Sequence, residues 1–206
     1  MSDFVIKEGI LFDYIGTDTD VVIPDGISRI GQAFRGKNVT SVVMPDSVSI
    51  VCSMAFADCA QLHNVKFSAK LRGIYVGAFR GCVSLTEIAL PETLRMIDVA
   101  AFSACTGLAS VTIPKGVTVI RDAAFLGCSA LRAIALPKDF LFGEDLLVGR
   151  KDLLSTLRLW DPEDRPAERV LTVRYAGNKE WWKAISDPID TSFLSVVHCS
   201  DGDIRY

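Results

Sequence analysis

The chain has 206 residues, half of them hydrophobic, and its 22 lysines and arginines against 25 aspartates and glutamates give a formal net charge of −3. Such a chain can bury enough apolar surface to offset the entropy lost on ordering, which excludes an intrinsically disordered protein. The sequence has no cluster of lysines and arginines that could displace counterions from phosphates, so a nucleic-acid partner is not expected.

The N-terminal segment, residues 1–19, is predicted to cap the fold, with a polar outer edge that keeps the adjoining sheet from recruiting another chain. It contains neither the basic start nor the apolar core nor the cleavage site of a secretory signal. No apolar stretch approaches the roughly 18–20 residues that span a bilayer, so membrane insertion is not expected. If the chain is complete, these features predict a cytoplasmic protein.

Residues 20–140 contain a repeat with a period of 23 residues, marked by Pro91, Pro114 and Pro137. This period lies in the range of leucine-rich repeats, whose units bury their apolar faces only by stacking on one another. The repeat therefore predicts a solenoid of about five coils. The same period separates four phenylalanines and four cysteines, which are Phe56, Phe79, Phe102, Phe125, Cys59, Cys82, Cys105 and Cys128.

Each unit is predicted to contain one parallel strand, because its apolar residues alternate. Ile88 and Leu90 lie two residues apart, as in-facing strand residues do, and Glu87 and Ala89 alternate with them and face outward. A proline, which cannot donate to the ladder, ends most of these strands. The half-unit after it is expected to return the chain through a short extended piece and a helical or 3₁₀ turn. The predicted strands are 62–67, 85–90, 108–113 and 131–136.

The four repeat cysteines could in principle be metal thiolates. Zinc, however, requires ligands that converge on one point, whereas equivalent residues of stacked coils lie in a line about 4.8 Å apart. We interpret these cysteines as a reduced structural ladder and the four phenylalanines as an internal spine. His198 and Cys199 are neighbours on a predicted strand and point to opposite faces, so they cannot act as base and nucleophile. The sequence thus predicts no catalytic, cofactor or metal site, and no enzyme.

Residues 141–206 are predicted to form a C-terminal cap. A leucine-rich covering element and a loop over 141–168 precede the strand RVLTVRY, the short helix NKEWWKAI and the strand SFLSVVHC. Asn178 is the predicted N-cap of the helix. Consecutive helical residues point about 100° apart, so Trp181 and Trp182 cannot both face the core. Trp182, which shares a helix face with Ile185, is predicted to be buried, and Trp181 to be exposed.

The repeat unit reads A-F-x-x-C-x-x-L-x-x-[IV]-x-[ILF]-[PS], with the cysteine three residues before the leucine. This order closely resembles the BspA-like leucine-rich repeats found in many surface proteins of anaerobic bacteria and some protists. The opening and closing segments of the chain also resemble sequences that flank such repeats. The resemblance implies a β-rich, right-handed leucine-rich-repeat solenoid, with parallel strands, short helical or 3₁₀ turns and a cap at each end.

The resemblance also implies a bacterial cell-surface or secreted module that binds proteins or mediates adhesion, with host or matrix proteins as partners of some members. A carbohydrate-binding surface that uses exposed aromatic side chains stays open as the alternative. The candidate partner-binding residues are out-facing strand positions and the exposed tryptophan of the cap, which are Asn64, Lys66, Glu87, Ala89, Ser110, Thr112 and Trp181.

Overall fold

The computed structural model describes residues 3–121, 123–137, 171–186 and 194–206, with side chains described up to Lys183 in the helix that ends at 186. The covering element and loop predicted over 141–168 lie outside these ranges. The elements in chain order are β1 (Phe4–Lys7), β2 (Ile10–Tyr14), β3 (Asp20–Val22), β4 (Arg29–Ile30), β5 (Ser41–Val43), β6 (Ile50–Val51), β7 (Asn64–Lys66), β8 (Gly73–Ile74), β9 (Met96–Ile97), β10 (Ser110–Thr112), β11 (Val119–Ile120), β12 (Ala133–Leu136), β13 (Leu171–Tyr175), α1 (Lys179–Ser186), β14 (Leu194–Cys199) and β15 (Gly202–Arg205).

Most coils of this solenoid contribute two short strands, which belong to different sheets. The second strands form sheet A, in the order β1-β2-β4-β6-β8-β9-β11. The first strands form sheet B, in the order β3-β5-β7, and sheet C, in the order β10-β12-β13-β14-β15. A turn that begins at the repeat proline separates the two strands, with Val48 N donating to Pro45 O at 3.1 Å and Leu94 N to Pro91 O at 3.0 Å.

The parallel strands predicted at 62–67, 108–113 and 131–136 are confirmed as β7, β10 and β12, although each is shorter than predicted. The prediction of a strand at 85–90 is wrong. In the described part of the chain, the amides of residues 87–90 donate no hydrogen bond to either neighbouring coil, and Thr86 O accepts one from Ala109 N at 3.0 Å. Ile88 and Leu90 still pack against the core but are only half-buried. The segment is therefore out of position for the ladder, and the strand side of the solenoid is divided into sheets B and C.

The N-terminal cap is an antiparallel hairpin of β1 and β2. Its turn contains Glu8 and Gly9, both with positive φ (51° and 72°), as tight hairpin turns require. The prediction of a polar outer edge is wrong, because β1 exposes Val5 and Ile6, each at 44%. A shift in the β1–β2 register between these two residues makes the edge irregular, and such a bulge hinders the addition of another strand.

A column of stacked phenylalanine rings runs through the centre of the core. Phe34 lies ahead of the four phenylalanines that the repeat marks, and the five rings stack with centroids 4.9–5.5 Å apart and planes within 5° of parallel. All five side chains are buried. The column links consecutive coils from Phe34 to Phe125.

The four repeat cysteines are buried beside this column, and all six cysteines of the chain are free. Each repeat thiol donates a hydrogen bond to the carbonyl oxygen of the phenylalanine one coil earlier, from Cys59 to Phe34 at 2.8 Å and from Cys82 to Phe56 at 3.2 Å. Cys105 and Cys128 repeat the arrangement at 3.1 Å. Burial raises the pKa of the Cys59 thiol to about 11 and that of Cys82 further. The Cys59 and Cys82 thiols therefore stay protonated at neutral pH and act as donors.

The C-terminal cap extends sheet C. β13 pairs in parallel with β12, β14 pairs in parallel with β13, and β15 closes the sheet as an antiparallel partner of β14. The helix α1 begins as predicted, with Trp181 N donating to Asn178 Oδ1 at 2.9 Å. Trp182 is 1% exposed and its Nε1 donates to Tyr206 Oη at 2.9 Å, whereas Trp181 is 46% exposed. Both orientations agree with the prediction from helix geometry.

Candidate interaction surface

The outward side of sheets B and C, which we call the strand face, is built from two rows of side chains. The strand register aligns Asp20, Ser41 and Asn64 in the first row of sheet B, and Val22, Val43 and Lys66 in the second. Between the rows, the intervening residue of each strand points inward and is buried. These buried residues are Val21, Val42 and Val65.

On sheet C, the same two rows continue through five strands to the end of the chain. The first row contains small and neutral side chains until its last member, and runs Ser110, Ala133, Thr172, Val196 and Arg205. The second row becomes charged from its third member, and runs Thr112, Ala135, Arg174, His198 and Asp203. On sheet C, the strand face thus changes from neutral in the repeats to charged at the C-terminal cap.

The predicted partner-binding residues do not form one continuous patch. Asn64 and Lys66 lie exposed on sheet B, and Ser110 and Thr112 lie exposed on sheet C. Glu87 and Ala89 are also exposed, but they lie on the segment between the two sheets that is not a strand. Trp181 belongs to α1 rather than to a strand. The binding role of all seven residues stays a prediction.

The charged end of the strand face was not predicted from the sequence. Arg174, His198 and Asp203 share one row, and the Nδ1 atom of His198 lies 2.8 Å from Oδ1 of Asp203. The strands of Arg174 and His198 were expected, and alternation in RVLTVRY could have placed Arg174 outward, but the strand of Asp203, β15, was not predicted. The pairing of β13 with β12, which aligns these side chains with the rows of the repeats, could not be predicted from the sequence.

At the opposite end of the strand face, Asp20 is held by hydroxyl groups from the next coil. Its Oδ1 accepts hydrogen bonds from Thr40 Oγ1 at 2.9 Å and from Ser41 Oγ at 2.5 Å. These two bonds, first Ser41 and then Thr40, lower the pKa of the carboxyl group. Asp20 is therefore an ionised and fixed acceptor on an exposed surface.

A cleft of about 340 Å³ lies next to this end, between the loops at 16–19 and 36–39. Tyr14 lines it and donates from its hydroxyl to Asp18 O at 3.0 Å, and Lys37 Nζ forms an ion pair with Asp13 Oδ1 at 3.0 Å. Across the described ranges, no group of three or more histidine, cysteine or acidic side chains is placed to hold a metal ion.

The repeats identify the family. The model of the BspA type leucine rich repeat region matches residues 28–145 in six copies. The chain belongs to this family. Six copies are one more than the five coils estimated from the period.

Solved structures of leucine-rich-repeat proteins resemble this chain over most of its length. A leucine-rich-repeat protein of T. pallidum is 27% identical with a TM-score of 0.62, over 84% of this chain and 81% of its own. A protein of Bacteroides ovatus is 25% identical with a TM-score of 0.58, over 85% of this chain and 49% of its own. A leucine-rich cell surface protein of Faecalibacterium prausnitzii is 26% identical with a TM-score of 0.50, over 85% and 37%. The chain thus spans half or less of these last two proteins. No curated protein sequence matches it.

Proposed function

We propose that the chain is a non-catalytic protein-interaction or adhesion module that binds its partner through the strand face. The observation that carries this proposal is the pair of aligned rows on sheet C, from Ser110 to Arg205 and from Thr112 to Asp203. Small side chains such as Ala133 and Ala135 let a partner approach the sheet closely. The charged side chains at the cap would then fix its orientation, since charge complementarity contributes mainly to specificity.

A protein partner fits this surface better than a carbohydrate. The carbohydrate alternative requires exposed aromatic side chains, and none of the outward positions on the described strands of sheets B and C carries one. The exposed aromatics of the described chain, Phe12 and Trp181, lie on β2 and α1. Trp181 keeps a separate role as a candidate anchor, because exposed tryptophans are frequent hot spots of protein interfaces.

The location that we propose is the cell surface. Its support is the F. prausnitzii relative, which is described as a cell surface protein. Within the part of the chain that the structure describes, no helix has the length and hydrophobicity to cross a membrane. The absence of catalysis remains a prediction from the sequence.

The proposal can be tested by measuring binding to a panel of purified extracellular-matrix proteins and, in parallel, to a glycan array. Ala135→Arg places a bulky cation in the middle of the strand face and should weaken binding to any matrix protein that the chain recognises by at least about tenfold. Ser129→Arg is the matched control, because Ser129 is exposed in the turn of the same coil and away from the strand rows. Equal binding by the wild type and Ala135→Arg, or recognition of glycans alone, would contradict the proposal.

A further inference from the structure

The outer side of sheet A is a second ordered surface that the proposed function does not use. In each two-residue strand the second residue is buried, as Ile30, Val51, Ile74, Ile97 and Ile120 show. The first residue of each strand therefore points outward. The register places these outward residues in one row with Ile10, and the row runs Ile10, Arg29, Ile50, Gly73, Met96 and Val119.

Most of this row is apolar and half-exposed. Ile50, Met96 and Val119 are each of intermediate burial. At Gly73, an added Cβ would lie 2.9 Å from Cε2 of Tyr75 and 3.9 Å from Cε of Met96. The Tyr75 ring thus lies over the glycine and fills the gap in the row. Isolated exposed apolar side chains are common, but these are aligned in register on consecutive strands.

An aromatic side chain, Phe12, lies at the β2 end of sheet A. Leu11 is fully buried, so the next residue of β2, Phe12, points outward, and it is 51% exposed. Phe12 and Tyr75 each come two residues after the outward position of their strand, which is Ile10 in β2 and Gly73 in β8. One exposed ring, Phe12, and one half-buried ring, Tyr75, therefore lie on the same side of sheet A.

Arginines surround this apolar stripe. Arg29 lies within it, Arg72 immediately precedes β8 and Arg121 follows β11. Arg95 precedes β9, but its Nη1 donates to Glu92 O and Leu94 O of the preceding turn. Among the described residues that immediately precede or follow the two-residue strands of sheet A, Asp98 is the one with a carboxylate. Its side chain is 13% exposed, and its Oδ1 lies 3.4 Å from Arg121 Nε. Within the described ranges, Arg29 and Arg72 form no ion pair. The stripe therefore has unneutralised positive charge at its edge.

This combination is the composition of a protein interface core with its rim, since interfaces are enriched in aromatic residues, methionine and arginine and poor in lysine and glutamate. The apolar side chains of the row from Ile10 to Val119 are half-buried, which disfavours insertion into a lipid surface. The positive rim requires carboxylates from the other side. We infer that the outer side of sheet A docks an acidic polypeptide whose apolar side chains pack on Tyr75 and Met96 while its carboxylates pair with Arg29 and Arg72.

The inference is tested with defined probes and the whole chain. A random copolymer of glutamate and tyrosine should bind, and should shift the NMR signals of the Ile50, Met96 and Val119 methyl groups. Poly-glutamate should bind at least about tenfold more weakly, because it lacks the apolar contacts. Arg72→Glu should weaken copolymer binding by about tenfold, and Arg29→Glu is a second variant that removes charge at a different coil. Arg174→Glu, on the strand face, is the matched control and should leave copolymer binding unchanged.

Several results would overturn the inference. Poly-glutamate binding as tight as copolymer binding would do so, as would NMR shifts confined to methyl groups of the strand face. An effect of Arg174→Glu equal to that of Arg72→Glu would also contradict it. So would a copolymer dissociation constant weaker than about 1 mM. Tighter binding to phosphatidylglycerol vesicles than to the copolymer would also overturn it. Ala135→Arg alters the strand face alone and tests the proposed function, whereas Arg72→Glu alters sheet A and tests this inference. The two proposals can therefore fail independently.

Discussion

At the scale of single residues, the phenylalanine column should be the most sensitive part of the core. Phe102 is buried between the rings of Phe79 and Phe125, and coils on both sides prevent the site from collapsing around a cavity. Phe102→Ala should therefore reduce the free energy of unfolding by roughly 3–5 kcal/mol. Denaturant unfolding measures this, with Phe12→Ala as a control that should change stability by less than about 0.5 kcal/mol. An unchanged midpoint for Phe102→Ala would refute the packing of the column.

The buried thiols should make the protein less stable in alkali. In the unfolded chain a cysteine loses its proton near pH 8.5. In the folded chain Cys59 keeps it up to a pKa of about 11, and burial raises the pKa of Cys82 as well. A hydrogen bond with the Cys128 thiol, together with burial, raises the pKa of Cys105. Stability is thus fully present below pH 8.5 and is lost as pH rises toward the folded pKa values, by up to about 1.4 kcal/mol per pH unit for each thiol.

Urea unfolding from pH 8 to pH 10.5 measures this loss. The control is Cys82→Ser, which keeps a donor for Phe56 O but does not ionise in this range. Its stability should fall less steeply with pH than that of the wild type. Identical slopes for the two proteins would show that the thiols do not cause the loss.

The turns on either side of each phenylalanine contain residues in the left-handed region, and some of these are not glycine. Ala104 has a φ of 57°, whereas Gly81 and Gly127 occupy the same position in the neighbouring coils. Because this region costs an L-residue roughly 1–2 kcal/mol, Ala104→Gly should raise the free energy of unfolding by about 0.5–1 kcal/mol after the entropy cost of glycine. Ala101→Gly, at a position without positive φ, should lower stability instead. Thermal unfolding of both variants compares them, and destabilisation by Ala104→Gly would contradict the assignment.

At the scale of elements, the division of the strand side at residues 85–90 should be visible in hydrogen exchange. Met44 N donates to Lys66 O at 2.9 Å and Ile113 N donates to Ala135 O at 2.9 Å. At the equivalent position, Leu90 N has no acceptor among the described residues. The Leu90 amide should therefore exchange at least about tenfold faster than those of Met44 and Ile113. Equal protection of the three amides would show that sheets B and C are one continuous sheet.

The elements also show what the sequence could predict. The 23-residue period gives the position of each coil, and alternation gives the side of the strand on which Val111 or Ile134 lies. Alternation does not tell whether two backbones come within hydrogen-bonding distance, so LTEIAL reads like the other units although its ladder is absent. The charged rows of the cap depend on the pairing of β12 with β13, whose sequences are separated by residues 137–170. A contact that distant leaves no local signal.

At the scale of the whole molecule, the solenoid presents two surfaces with different chemistry. On sheet C, the strand face is small and neutral in the repeats and charged at the cap, whereas the outer side of sheet A is apolar with an arginine rim. Parallel stacking of repeats produces both, since each repeat position becomes a row of side chains along the solenoid. The period thus predicted that rows exist, and the individual residues in each row determine what a row can bind.

The central claim, that the strand face is the partner-binding surface, is tested most directly by a methyl NMR titration of the chain with a matrix protein that it binds. Ala133, Ala135 and Val196 report on the strand face, and Ile50, Met96 and Val119 report on sheet A. Shifts or broadening at the first three methyl groups, with the second three unchanged, are the predicted result. Changes confined to Ile50, Met96 and Val119 would contradict the claim.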